Sequence, residues 1–216
     1  VVYNNGLEFR PIEEIRFGSV LGRIGLAYMF ANIIFLYTSK RGQIIWFVSL
    51  LIGYWVLLLF NSAPGYAMGN LTMEGNIVSY LDTILVPGKL YLGIHDPEGL
   101  VSTIPAISTA LLGIYTGTLL KNTTLENNKK TTLQLLILGA ILIILAQLWN
   151  LVLPINKNLW TSSFTLQCGG ISMVLMAIFY YGIDVRGYQK WAFFFKIIGM
   201  NSILIYLSGH FINWHF

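Results

Sequence analysis

Six apolar stretches constrain this chain: residues near Ser19 to Tyr37, Ile44 to Phe60, Leu100 to Leu120, Leu133 to Leu153, Thr161 to Ile183 and Phe194 to Trp214. A helix needs roughly 17 to 25 residues to cross a hydrocarbon core. All six reach that length, the second only just. An unpaired backbone amide or carbonyl in lipid costs several kcal/mol, and the period-two alternation of a membrane barrel is absent, so each stretch is predicted to be a helix. The predicted fold is all-α: a polytopic transmembrane helix bundle with about six spanning helices in this chain. Composition agrees, because 56% of residues are hydrophobic and only 10% charged, where soluble domains carry about 25% charged residues.

Lysine and arginine set the predicted orientation. Lys40 and Arg41 follow the first stretch, Lys121, Lys129 and Lys130 the third, and Arg186, Lys190 and Lys196 the fifth, so these connections should face the cytoplasm. The opposite side then holds the N-terminal segment, the long connection Asn61 to Gly99, the turn Pro154 to Trp160 and the C-terminus. The formal charge of +4 follows from this bias and gives no nucleic-acid reading. Residues 1–216 read as a single transmembrane domain with residues 61–99 as its extracytoplasmic loop. Because the chain would enter its first helix from outside, an earlier crossing or a signal is expected upstream, which would make this the C-terminal part of a larger domain.

Distant polar groups gather on that outer side. Arg16 and Arg23 are seven residues apart and share a helix face if the helix begins before Arg16. Arg23 lies inside an apolar stretch, where a charge costs about 2.5 kcal/mol or more unless it is paired or reaches water. It is expected to snorkel, to pair with Asp96 or Glu98, or to meet an anionic ligand. Asp96 and Glu98 bracket Pro97 just before the third helix, where carboxylates can cap free amides, and one of them could also position Arg23 or a substrate amine. Pro105 is expected to kink that helix, and the Gly113 to Gly117 spacing suits tight helix packing. The turn Pro154 to Trp160 holds Asn156, Lys157, Asn158 and Trp160. Trp160 and Lys157 alone would be ordinary interface residues, whereas together with the asparagines they suit phosphate or sugar hydroxyls. Asn201 and Ser202, a third of the way into the last stretch, are expected to face the bundle interior.

No metal site is expected. His95 is in a loop, His210 and His215 are five apart, and no cysteine or carboxylate completes a ligand set. His210 reads either as a proton-handling residue or as a structural one. The lone Cys168 lies inside the fifth stretch, so no disulfide framework can form. No internal repeat of the transporter kind is visible.

Five ordered blocks then carry a resemblance: Ser19-Val20-Leu21-Gly22-Arg23-Ile24-Gly25, Asp96-Pro97-Glu98-Gly99, Pro154-Ile155-Asn156-Lys157-Asn158-Leu159-Trp160, Asp184-Val185-Arg186-Gly187 and Gly199-Met200-Asn201-Ser202-Ile203-Leu204. Together they resemble the heparan-alpha-glucosaminide N-acetyltransferase family, in particular its bacterial relatives, since the outer loop is short and lacks the cysteines of the lysosomal form. The resemblance implies transfer of an acetyl group from acetyl-coenzyme A, arriving from the cytoplasm, to the amine of a terminal glucosamine or related sugar on the other side. It also implies the bacterial cytoplasmic membrane, with the polar clusters facing the periplasm. The family's histidine sits in a His-Ala-x-Trp motif upstream of the first block. Nothing in this chain matches that motif, so no histidine here inherits the role and the catalytic base is left unassigned.

The reading that results is a membrane acyltransferase with acetyl-coenzyme A as donor substrate and no metal. Arg23, Asp96, Glu98, Asn156, Lys157, Asn158, Trp160, Asn201 and Ser202 are its expected binding residues. The expected partners are membrane lipid and an amino sugar or oligosaccharide acceptor, with a homo-oligomer left open. A secondary transporter or flippase for an anionic or sugar-linked substrate would use the same buried arginine and carboxylates. A non-catalytic membrane scaffold is the third reading.

Overall fold

The computed structural model describes residues 11–211. Its helices are α1 (Val20–Tyr37), α2 (Lys40–Phe60), α3 (Ile77–Leu85), α4 (Thr103–Lys121), α5 (Asn128–Asn150), α6 (Ser162–Tyr180), α7 (Ala192–Met200) and α8 (Ser202–Phe211), and no strand forms among the described residues. Five of these, α1, α2, α4, α5 and α6 with its π-helical continuation Tyr181–Val185, are long and apolar enough to cross a membrane.

Polar caps decide where the spans begin. Ser19 Oγ accepts from the Gly22 amide at the start of α1, Ser39 Oγ from Gly42 at the start of α2, and Thr161 Oγ1 from Phe164 at the start of α6. The second span therefore starts at Lys40, four residues before its apolar stretch, and takes the two cations into its first turn. Pro105 is the third residue of α4, in the first turn, where its missing amide has no intrahelical partner to lose. The kink expected there has no cause.

The sixth predicted span is two short helices. Asn201 leaves helical geometry (φ −117°, ψ 23°) while its Nδ2 donates to the Ile197 carbonyl at 2.9 Å, a local bond that competes with continuing the helix. The end of that stretch, including Trp214, lies outside the described residues.

Small residues bring the spans together, as expected where lipid removes the hydrophobic drive between helices. The α5–α6 pair is the most extensive contact. A Cβ on Gly139 would lie 2.8 Å from the Gly170 carbonyl oxygen, and one on Gly170 would lie 2.7 Å from that of Gly139, so the two backbones touch. Ala27 and Ala31 of α1 meet Ala106, Ile107 and Leu111 of α4. Gly113 and Gly117 have nothing within 4 Å of a Cβ, so the predicted small-residue seam is not at that pair. Helix α2 is tied in by Ser162 Oγ, which donates to the Leu51 carbonyl at 2.7 Å. Contacts described below join the starts of α1, α4 and α6 to the end of α2, and gather at that end the residue 61–99 loop, which contains α3.

A buried charged cluster as candidate functional site

At the shared end, the chain before α1 runs antiparallel to the loop, with Arg16 bridged to Gly88. Gly88 is at φ +79°, and a Cβ there would lie 2.1 Å from the Ile15 carbonyl oxygen, so only glycine lets the two segments approach this closely. The approach delivers Arg16 to two carboxylates. Its Nε donates to Asp96 Oδ2 at 2.8 Å, and its Nη2 to Asp96 Oδ1 and to Glu98 Oε2, each at 2.7 Å. Asp96 is fully buried and also accepts from the amides of Tyr91 and Glu98. Burial pushes its carboxyl up, but the Arg16 guanidinium and these amides outweigh that and hold it below its ordinary value. The Tyr91 ring lies under Arg16, with its centroid 4.5 Å from the guanidinium carbon.

Arg23, one turn into α1 and 7% exposed, makes a different set of contacts. Its Nη2 donates to the Pro97 carbonyl and the Ser102 hydroxyl, and its guanidinium lies 4.7 Å from the centre of the Trp160 ring. Arg23 therefore meets the segment after Asp96 and not the carboxylates themselves, which corrects the expected Arg23 pairing with Asp96 and Glu98. The helix register explains the split: Arg16 precedes α1 and reaches across the loop, while Arg23 points into the bundle. Arg23 Nε is buried with no hydrogen-bond partner.

Trp160 is the one non-glycine residue at positive φ among those described, at +51°. A bulky side chain in this region costs about 1–3 kcal/mol and persists where the surroundings over-determine it. Here the ring packs edge-on against Phe164 at 5.0 Å, lies against the α1–α4 cluster and covers Arg23. The turn around it is built by Asn156, whose Oδ1 accepts from the amides of Asn158 and Leu159 and whose own amide donates to Thr161 Oγ1. That carboxamide oxygen thus shapes the turn. Lys157 and Asn158 are exposed beside it.

Two further side chains lock turn and loop together. Tyr54 of α2, buried, donates its hydroxyl to the Leu159 carbonyl at 2.5 Å. His95, 2% exposed, lies 2.7 Å through Nδ1 from Ser79 Oγ, which in turn accepts from Asn76 Nδ2, and its ring bonds the Asn158 carbonyl. These roles suit a neutral imidazole with the proton toward Asn158, and burial lowers its pKa in the same sense.

The carboxylate at the start of α4 is Asp82 of α3. Its Oδ1 accepts from the Val101 amide at 3.0 Å, and the Leu100 amide bonds the same carboxylate. The expectation that Asp96 or Glu98 caps this helix is corrected: Asp96 closes its own turn through the Glu98 amide and Glu98 reaches Arg16, while a residue from another element takes the helix end.

The structure thus brings Arg23, Asp96, Glu98 and Trp160 into one cluster, with Asn156, Lys157 and Asn158 on its bordering turn. It does not bring in Asn201 or Ser202. Both are exposed, and Asn201 bonds its own helix, which corrects their expected inward orientation. The side chain of His210 and the whole of His215 lie outside the described residues. Sequence reasoning missed Asp82, Ser102 and Tyr54 and gave His95 no role. The available signal was a carboxylate within the otherwise apolar run Ile77-Val78-Ser79-Tyr80-Leu81-Asp82, where Val78, Ser79 and Asp82 share the buried face.

Fold and site define a polytopic helical membrane protein with an ionised cluster buried at one end of its bundle. Over 121 residues the chain is 35% identical to human heparan-alpha-glucosaminide N-acetyltransferase and 36% identical to the mouse protein of that name. Each match takes in 54% of this chain and 18% of the relative's length, so the chain spans a small part of the curated relatives it matches. These matches are to the family that the sequence resembles. No protein-family model matches the chain.

Proposed function

We propose that this chain is part of a transmembrane acetyltransferase that moves an acetyl group from acetyl-coenzyme A to the amine of an amino sugar or glycan on the extracytoplasmic side. The observation that carries this reading is the similarity over 121 residues to the human and mouse N-acetyltransferases. The excess of Lys and Arg at the end of the bundle opposite the cluster supports a cytoplasmic basic end and an outward-facing site, periplasmic if the membrane is a bacterial inner membrane.

Acetyl transfer to an ammonium needs loss of a proton, attack of the amine nitrogen on the thioester carbonyl, formation of the C–N bond and departure of the coenzyme A thiol. In the proposed site Arg23 supplies fixed positive charge from a buried position, where such charge acts most strongly on a developing oxyanion or a donor phosphate. Glu98, whose Oε1 is not taken by Arg16, faces the acceptor's ammonium. Lys157 and Asn158 border the mouth, and the Trp160 ring holds the Arg23 guanidinium in place. Asp96 is saturated by Arg16 and backbone amides, so it shapes the site without meeting substrate.

The test is incubation of the purified full-length protein with labelled acetyl-coenzyme A and a panel of amino sugars. Label on glucosamine and none on N-acetylglucosamine identifies an amine acceptor. Absence of transfer, with uptake of the same sugars into proteoliposomes, would replace the enzyme reading with a transporter.

A further inference from the structure

Asp82 has no part in the site as proposed above, yet it is fully buried and its Oδ2 has no hydrogen-bond partner among the described residues. That oxygen is pressed against the backbone: a Cβ on Gly99 would lie 1.8 Å from it. Its other oxygen takes the Val101 amide, one residue before Ser102. The chain from Pro97 to Ser102 is therefore held at one end by Asp96, through the Glu98 amide, and at the other by Asp82. From that same segment the Pro97 carbonyl and the Ser102 hydroxyl hold Arg23, whose Nε is also buried and unpartnered. An unpartnered buried carboxylate oxygen calls for an explanation, because a neutral acceptor would serve the Val101 amide equally well.

We propose that Asp82 is a positioning residue for Arg23: its grip on the start of α4 fixes the segment from which the guanidinium hangs, and its charge answers that of Arg23 within the bundle end. Glu98, Asp96 and Asp82 all act on Arg23 through their charge; the first two are also bonded to Arg16, whereas Asp82 leaves one buried oxygen without a hydrogen-bond partner among the described residues. The other titratable groups facing Asp82 are Asp96 from the loop and Tyr54 from α2, with His95 joined to α3 through Ser79. Burial pushes the Asp82 carboxyl up to about 6, against the amides of Val101 and Leu100 and the Arg23 charge, which pull it down. Arg23 is thus held most firmly above that pH and less firmly below it.

The inference rests on the acetyltransferase reading only for its kinetic readout. In the full-length protein, Asp82→Asn removes the charge, and Gly99→Ala displaces the carboxylate while keeping it. Each is expected to lower kcat for acetyl transfer tenfold or more with KM for acetyl-coenzyme A within twofold, and the double variant to be no worse than the stronger single one. Wild-type kcat in Asp82→Asn, or losses that multiply in the double variant, would overturn the proposal. A second measurement needs no turnover: Trp160 emission, taken as the difference between each protein and its Trp160→Phe counterpart. It is expected to shift between pH 7.5 and pH 5 in the parent and to stay constant in Asp82→Asn; the same shift in both overturns the proposal. If the parent transfers no acetyl group yet its Trp160 response depends on Asp82, the enzyme reading fails and the positioning role stands.

Discussion

The two arginines near the start of α1 illustrate how local context assigns different work to the same side chain. Arg16 meets Asp96 through two parallel hydrogen bonds, the geometry for which a guanidinium is suited and an ammonium is not. Arg16→Ala leaves Asp96 buried without its countercharge and should cost on the order of 3 kcal/mol, read as a lower unfolding midpoint in detergent. Arg16→Lys should recover part of that loss, and Arg16→Ala combined with Asp96→Ala should lose less than the sum of the single variants. The carboxylates of Asp82 and Asp96 should also respond to pH with opposite signs. Asp82 has a raised folded pKa, so its contribution is present below the ordinary carboxylate range and is lost as pH rises through about 6. Asp96 has a lowered one, so its contribution is present above the ordinary range and is lost as pH falls through its folded pKa. The stability difference between the parent and Asp82→Asn should therefore shift in the parent's favour between pH 7.5 and pH 5, and a difference constant across that range would contradict the assignment.

Among the helices, the α5–α6 seam and the exposed glycines of α4 make a paired prediction. Gly170→Ala forces a Cβ to 2.7 Å from the Gly139 carbonyl oxygen and to 2.8 Å from Ile143 Cγ1, and should destabilise the protein by about 1–3 kcal/mol. Gly117→Ala meets nothing and should be neutral or slightly stabilising, since alanine is the better helix former. Thermal unfolding of both variants in the same detergent checks the pair. The locations of five spans were legible in the sequence because length and apolarity alone demand a helix in lipid. Which glycines form the seam was not legible, because Gly113–Gly117 and Gly139 are equally small and only the rotation of each helix decides what they face. The broken sixth span was hidden for a related reason: hydropathy averages over Asn201, whereas the side-chain bond to Ile197 acts at that one residue.

For the molecule as a whole, alternating spans bring chain segments far apart in sequence to one end of the bundle. That convergence was legible because helix count and the Lys and Arg bias fix which connections share a side. The pairing inside the cluster was not. Arg23 and Asp96 looked complementary by charge, but Arg16 and Asp82 arrive from segments whose approach depends on Gly88 and on the burial of α3. The topology also makes a labelling prediction. Cysteine placed at Lys157 or Asn158 should react with an impermeant thiol reagent from the outside of intact cells, and cysteine at Lys121 or Lys190 should react only after permeabilisation. Reaction in the reverse pattern would invert the bundle. The most direct measurement is the rate of acetyl transfer from acetyl-coenzyme A to glucosamine by the full-length protein carrying Arg23→Gln, compared with its parent at equal folded amount. A buried guanidinium acting on the reacting groups predicts a fall of about a hundredfold or more, equivalent to roughly 2.7 kcal/mol. A rate within twofold of the parent would contradict the claim that the cluster at this end of the bundle is the functional site.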